Sequence, residues 1–473
     1  MAQQGSARKA VVQSTVHLEF LKEAMEWVID RSIFHHVKPH GNTKWVAGDL
    51  TMLAVLWVWS EKSQLTAAFE EASVWSKRLF GRLAVGSYQA LTSALVTYAE
   101  QLIPTLWNRL QRLMEQVGKE HWRIGRWLPL AVDGSRVSTP RTKANERAFR
   151  AANYGKSNSA KYRKRKTKNK RKKNRAKAET VTPQIWLTLI WHMGLGLPWC
   201  WKTGPSDSSE RGHFQDMLMH QQFPKNTLFC GDAGFTGYDF WKSIMDQGHH
   251  FLIRVGANVR LLSKLGYYAR EGNGIVYVWP DSAARKKQPP LVLRLIHLQG
   301  ERGNVYLLTN VLNRQHLSDA LASRMYKLRW GIELQFRTLK QTFGRRTLRS
   351  RTPGRARAEL EWSLLGLSII HLFAVKEQVS IGEPPSQTSA ALAIHVVRSV
   401  LFLWCDIPGK GADLWTQLQH AVIDTYERRS SKRARYRPNK KDAPSAGKPN
   451  IVVADKNRKQ QLERYRRHPA NAA

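Results

Sequence analysis

The hydrophobic periodicity of this 473-residue chain changes once, sharply, and that change constrains the fold more than any other feature. From about Val16 to Gly118 the apolar residues recur at helical spacing, as in Val55, Val58 and Trp59, or Leu91, Leu95, Tyr98 and Leu102. A period near ~3.6 residues puts such residues on one helix face. At Trp127-Leu-Pro-Leu-Ala-Val-Asp133-Gly-Ser the pattern becomes a short apolar run closed by an acid and two small residues, the form of a buried strand with a polar tip. A run of helices thus leads into an α/β part, and at roughly 150 residues per domain the length implies two or three domains.

Further strands are predicted at Ile185 to His192, Thr227 to Gly231, His250 to Val255, Ile275 to Trp279, Leu291 to His297 and Val305 to Leu308. Each is short, rich in β-branched or aromatic residues and bounded by turn formers. The stretch 250–310 therefore reads as a β insertion. Beyond it Leu317 to Thr342 predicts one long helix, Arg355 to Gln378 a second and Ser389 to Cys405 a third. The tail past Glu427 is basic, contains proline and lacks a pattern, so it is expected to be disordered.

Lys plus Arg outnumber Asp plus Glu by 76 to 36, a formal charge of +40, while an apolar fraction of 42% still suffices for a folded core. A field of that sign attracts polyanions and releases their condensed counterions, which makes nucleic acid the first partner to consider. A structural RNA-binding protein and a membrane-surface protein are the rivals. The 18 Trp weigh against a purely structural basic protein, since Trp needs packing partners or planar ligands, most of them in the core. Between Lys161 and Lys177 twelve of seventeen residues are Lys or Arg, a block that self-repulsion keeps extended until it meets an anion. A solvated insertion or a localisation address would have the same composition, but its place inside the α/β part favours contact with substrate.

Cys200, Cys230 and Cys405 are far apart and odd in number, which suggests neither a disulfide framework nor a zinc cluster. The longest apolar run, Met52 to Trp59, falls short of the ~20 residues that cross a bilayer, and no apolar stretch follows the charges at the start. A soluble, cytoplasmic, nucleoid-associated protein without membrane contact is expected.

In so basic a chain an acid closing an apolar strand stands out, because a buried carboxylate is costly unless a cation or a metal compensates it. Two such acids occur, Asp133 in Leu-Ala-Val-Asp-Gly-Ser and Asp232 in Leu-Phe-Cys-Gly-Asp-Ala-Gly-Phe, each followed by small residues that leave room for a ligand. An Asp so placed also serves simply to start a turn or cap a helix; chemistry requires a third member. Tyr326, Glu333 and Lys340 are seven apart, so at ~100° per residue they stay within ~20° of one helix stripe, and Arg329 lies one turn before Glu333. That stripe presents an acceptor for metal, two cations for phosphate and a phenol. By itself the Arg329–Glu333 pair would be an ordinary solvated ion pair.

Tyr326, Arg329, Glu333 and Lys340 reproduce a Y-x2-R-x3-E-x6-K signature, and on these residues the chain resembles the DDE transposases of the insertion-sequence IS4 family. The resemblance extends to the Asp-Gly-Ser strand, the Gly-Asp-Ala-Gly-Phe strand and the β insertion, covering about residues 125–350. It implies an α/β, ribonuclease H-like catalytic core with a β-strand insertion, plus a helical N-terminal domain and a helical C-terminal region. Asp133, Asp232 and Glu333 are then the acidic triad. The implied division is a DNA-binding helical domain over 1–125, a catalytic core over 126–350 with a basic loop at 155–180 and the insertion at 250–310, a helical region over 351–426, and the tail at 427–473. Neither the basic loop nor the tail matches an element of the family.

Three carboxylates around one point suit two hard divalent ions, Mg2+ or Mn2+, which take oxygen ligands and keep positions open for water and phosphate. The resemblance implies a cut-and-paste reaction on double-stranded DNA by a homodimer in a synaptic complex. Terminal inverted repeats would be bound, the element's ends hydrolysed, and the freed 3′ hydroxyls joined to target DNA. A hairpin step with a flipped base is also implied, its unstacking offset by stacking on Trp at ~1 to 3 kcal/mol per base. Trp330 is the first residue expected at that base, and Trp279, otherwise a core residue, the second. Arg329 and Lys340 are expected on phosphates near the cleaved bond, with Tyr326 donating its hydroxyl to another.

Arg345, Arg346, Arg349 and Arg351 are expected either to track the DNA backbone or to form a solvated basic face. His35, His36 and His40 share no carboxylate or Cys at metal spacing and read as a loose turn. Glu210 and His213 read as a helix start capped by serine, the other reading being support of the acids from behind. Two rival functions share these features: a ribonuclease H-like nuclease that cuts without joining, and an inactive DNA-binding derivative.

Overall fold

A computed structural model describes residues 17–150, 182–272, 274–299, 304–402, 413–423 and 447–467. The basic block at 161–177, the whole of the loop 155–180, Cys405 and much of the tail lie outside the described residues.

Ten strands build one mixed sheet. They are β1 (Leu128–Ser138), β2 (Gln184–His192), β3 (Leu197–Pro205), β4 (Thr227–Gly231), β5 (His250–Val255), β6 (Arg260–Ser263), β7 (Ile275–Val278), β8 (Leu291–Leu298), β9 (Val305–Thr309) and β10 (Asn450–Val453). Their spatial order is β10-β6-β7-β8-β9-β5-β4-β1-β2-β3. β1, β4 and β5 run parallel, β2 and β3 return antiparallel on one side, and β9, β8, β7 and β6 continue as an antiparallel meander on the other. Every residue of β4 is buried, the pattern of a parallel strand covered on both faces.

The seven strands predicted from the sequence, the Asp133 strand and the six further ones, are all present, but three others were not anticipated. β3 and β6 are short or interrupted by Pro198 and Gly204, and β10 lies in the tail expected to be disordered. That expectation is corrected for residues 447–467. β10 adds to the sheet parallel to β6, and a helix at Lys456–Arg467 folds back on the meander, where Tyr465 packs edge-on to Trp279 and Arg458 pairs with Asp281. Within the stretch 250–310, β5 belongs to the parallel core, and the meander that follows it is hydrogen-bonded to it through β9.

The N-terminal part is helical as expected, with helices at 17–28, Ala47–Trp59, Leu65–Phe80, Tyr88–Thr97 and Ala99–Val117. It does not stand apart from the C-terminal helices Pro353–Ser380 and Ala390–Phe402. Trp59 Nε1 donates to the Gly366 carbonyl at 2.9 Å, and Arg398 Nε donates to the Trp59 carbonyl at 2.8 Å. A Cβ on Gly366 would lie 2.7 Å from Val58 Cγ2, so the close crossing of the two helices depends on glycine. Ala47–Trp59 is buried on all sides except at Asp49, which explains why it is apolar all round.

Pro353–Ser380 is long and apolar enough to cross a membrane, but 94% of its apolar window is buried against this bundle. Scattered Glu and His residues kept it from appearing as an uninterrupted apolar run. The tryptophans follow the core expectation: eleven are buried, Trp279 among them, and Trp330, at 57% exposure, is the single exposed one among the described residues.

Candidate active site

Asp133 was expected at the end of a strand; it lies in the middle of one. β1 continues to Ser138 because β2 pairs with it all the way, from Leu130↔His192 to Ser138↔Gln184. What ends near Asp133 is the other neighbour. β4 pairs with β1 from Leu128↔Thr227 to Ala131↔Cys230 and stops at Gly231. Asp232 follows directly on Gly231, so it leaves the end of β4 alongside the continuing β1, and its charge acts on Asp133. Small residues hold both carboxylates from behind: the Gly134 N–H donates to Asp133 Oδ1 at 2.8 Å and the Gly234 N–H to Asp232 Oδ1 at 2.7 Å.

The segment bearing Glu333 reaches them from one face of the sheet. Asp133, Ala131 and the Ala131 partner Trp191 share that face, since cross-strand partners and alternate residues point the same way. Gly331 lies directly on Trp191; a Cβ there would come within 2.1 Å of Cη2. The expected single helix over Leu317–Thr342 is therefore broken. It runs from Asp319 to Leu328, tightens through i−3 bonds from Trp330 to Lys327 and from Glu333 to Trp330, resumes over Gly331–Arg337 and ends in a π turn at Thr338–Thr342. Gly331 is the poorest helix former in the segment, and here its missing side chain is what lets the helix lie on the Trp ring.

The signature residues nonetheless meet. Arg329 Nη2 donates to Glu333 Oε1 at 2.9 Å, and its guanidinium sits 5.5 Å over the Tyr326 ring. Lys340 Nζ donates to Ser135 Oγ at 2.5 Å, pinning the π turn to β1 two residues past Asp133. Burial and the Arg346 charge lower the Lys340 pKa, and burial keeps the Tyr326 phenol protonated, a donor. Trp330 projects into solvent between Arg329 and Glu333 in the chain.

Burial pushes the Asp133 carboxyl up to about 6; the Gly134 N–H opposes this, and the charges of Asp232 and Glu333 add to it. Glu210 enters the same field. Burial, then Asp133 and Asp232, push its carboxyl up to about 7, with Arg136 opposing. The sequence had suggested a helix start capped by serine, and that holds, because Ser209 Oγ accepts from the Gly212 N–H at 3.0 Å. Glu210 also stands in the field of both aspartates, which the capping arrangement alone does not require. Gly134, one of the small residues noted after Asp133, is a gap in a strand that continues past it, and Glu210 fills the gap.

Other expectations divide. Arg345 is buried, donates to Ser363 Oγ at 2.8 Å and the Val58 carbonyl at 3.3 Å, and braces the helical bundle, which burial marks by lowering its pKa to about 10. Arg349 Nη1 donates to the Lys62 carbonyl at 2.5 Å, while Arg346 and Arg351 stay exposed. Arg345 and Arg349 thus belong to the protein's own framework rather than to a DNA-tracking row. His35 and His36 lie on the surface, His36 against Thr105 Oγ1 at 2.9 Å.

The carboxylate oxygens of Asp133, Asp232 and Glu333 fit hard divalent cations, and burial first, with the charges of Asp232 and Glu333 behind it, disfavours the uncompensated Asp133 anion. Among the described residues no three His, Cys, Asp or Glu side chains are close enough to grip an ion as they stand. Glu333 is engaged by Arg329 instead.

A family model described as the transposase DDE domain matches residues 128–369, just over half of the chain and all of the strands and helices that carry these acids. The chain is 27% identical over 302 residues to the transposase InsG for insertion sequence element IS4 of Escherichia coli (strain K12), a match covering 61% of this chain and 62% of that protein. A putative transposase y4zB of Sinorhizobium fredii (strain NBRC 101917 / NGR234) is 25% identical over 158 residues, 32% of this chain and 43% of its own. The matches thus span less than two thirds of either relative. A solved piggyBac transposase synaptic complex with hairpin DNA aligns over 89% of this chain and 87% of its own at 10% identity, with a TM-score of 0.37, too loose to bear on the fold. With its acids, signature helix and the strands β1 to β9 inside the matched span, the chain belongs to the transposase DDE-domain family, in the IS4 group.

Proposed function

We propose that the chain is a cut-and-paste DNA transposase, with Asp133, Asp232 and Glu333 as its catalytic acids on a ribonuclease H-like core. One observation carries this reading: two aspartates set side by side by a parallel register, in the electrostatic field of a glutamate delivered by a helix that also bears two cations and a phenol. The order β3-β2-β1-β4-β5, with β2 alone running against its two neighbours' shared direction on the β1 side, supports the core assignment.

Asp133, Asp232 and Glu333 would hold two Mg2+ or Mn2+ ions, which supply an activated oxygen nucleophile and stabilise the leaving oxygen in a phosphodiester displacement. The protein's own groups do the positioning. Arg329 neutralises Glu333 until substrate arrives and then stands ready for a phosphate oxygen, for which its planar fork is suited. Tyr326, kept protonated by burial, donates a hydrogen bond to a neighbouring phosphate. Lys340 ties its turn to β1, so that the acids on strand and helix keep one spacing. Trp330 offers an exposed ring on which an extruded base can stack. Terminal-repeat recognition by the N-terminal helices, joining to target DNA and assembly as a homodimer on paired ends complete the proposal.

The test is cleavage of a labelled duplex carrying the element's own end in Mg2+ or Mn2+, comparing wild type with Glu333→Ala at matched DNA binding. Metal-dependent nicks with 3′ hydroxyls, followed by hairpin or joined products and lost in the variant, are expected. Cuts without joining would leave a nuclease, and cleavage that survives Glu333→Ala would remove the triad.

A further inference from the structure

The helix Glu210–His220 lies on the opposite face of the sheet from Glu333. Its anchor is Thr188, the cross-strand partner of Gly134, whose Oγ1 meets His213 Nδ1 at 3.0 Å. Two strand glycines make room for this helix. A Cβ on Gly204 would lie 2.5 Å from His213 Nε2, and a Cβ on Gly134 would lie 2.4 Å from Glu210 Cγ and 2.9 Å from Oε1. The Glu210 side chain thus occupies the place a residue 134 side chain would take, beside Asp133. An acid in the first turn of a helix is ordinarily explained by the macrodipole alone, which asks for exposure at the helix end and not for a gap in a neighbouring strand. Arg136, the nearest cation on that face, lies 4.2 Å over the Trp186 ring and donates to the Ser206 carbonyl at 3.3 Å.

We infer that Glu210 is a fourth carboxylate of the metal centre, admitted through the gap at Gly134 and supplying an oxygen donor from the face of the sheet opposite Glu333. The inference rests on the reading of Asp133 and Asp232 as metal ligands. Glu210 adds a fourth carboxylate in the field of Asp133 and Asp232, where Glu333 is engaged by Arg329. Gly134 is then required for access rather than for a turn.

Mn2+ binding to the full-length protein, followed by electron paramagnetic resonance without DNA, tests this with a readout independent of cleavage. Wild type is expected to bind, Asp133→Asn to lose binding, and Glu210→Gln to bind about tenfold or more weakly, within the range found when groups that tune a metal site are removed. Glu210→Asp, which keeps the charge on a shorter arm, should recover part of the loss. A second measurement needs no variant: iron(II) with ascorbate and peroxide, applied to wild type, should cut the backbone near residue 210 as well as near 133 and 232. Unchanged Mn2+ affinity in Glu210→Gln, or iron cuts at 133 and 232 with none near 210, overturns the inference and leaves the triad intact. Absence of Mn2+ binding in wild type, or indifference to Asp133→Asn, overturns the metal centre itself and the inference with it.

Discussion

Two halves of the same sheet do different work. In β3-β2-β1-β4-β5 the parallel strands end on one side, so residues that follow them arrive as neighbours: Asp232 leaves β4 where Asp133 continues in β1. In β9-β8-β7-β6 the strands alternate, successive ends point opposite ways, and none of the site's acids comes from them. That half holds the site in place instead. Arg294 of β8, 1% exposed, donates to the Leu317 carbonyl at 2.5 Å, just ahead of the helix leading to Glu333, and the tail helix pins the meander's far edge. Backbone pairing makes the halves one rigid piece, but only a parallel pair that stops can bring two acids to one point.

The sharpest way to break this division is Asp232→Asn. Cleavage should fall by about a hundred- to ten-thousand-fold, the range for a group acting on the reacting atoms, with DNA affinity unchanged. Tyr277→Phe in the meander, which removes the 2.5 Å bond to Glu271, should leave cleavage rates alone. Comparable losses in both would erase the distinction.

Gly331→Ala ranks next. A methyl group 2.1 Å from the Trp191 ring must displace it, so unfolding free energy should drop by about 1 to 3 kcal/mol in denaturant melts. A neutral result would mean that the Glu333 helix is not seated on the sheet as described.

The pH dependence of the metal-free protein gives a smaller effect with a definite sign. Because burial raises the Asp133 carboxyl to about 6, the folded state binds a proton that the unfolded state has already released, and stability falls as pH rises from about 4 through about 6. Asp133→Asn cannot titrate. Relative to its difference from wild type near pH 4, it should gain on the order of 1 kcal/mol by pH ~8 in chelator, the full shift being discounted for the group's partial exposure. A gap that shrinks instead would put Asp133 in a solvated setting.

Arg458→Ala sets the lower limit. Its pair with Asp281 at 2.5 Å has one well-exposed partner, so its loss should cost only about 0.2 to 1 kcal/mol and leave cleavage unchanged. A larger loss of activity would make the tail helix part of the catalytic half.

Period and local chemistry in the sequence determined the elements: a helical N-terminal part, seven of the ten strands, and the two long C-terminal helices within a few residues of their ends. They also singled out Asp133, Asp232 and the Tyr326–Lys340 signature, because an acid closing an apolar run and a heptad of polar groups are visible without knowing what they touch. What the chain could not disclose locally was company. Gly134 and Gly331 look like breakers until Glu210 and Trp191 are seen across from them. Arg345 looks like its exposed neighbour Arg346 until it is found bonded to Ser363 and Val58. β10, in a basic stretch read as patternless, forms a strand by pairing along β6 at the edge of the sheet. Periodicity is a property of neighbours a few residues apart, whereas register, burial and the meeting of charges depend on segments as distant as 134 and 210, and only the folded packing decides those.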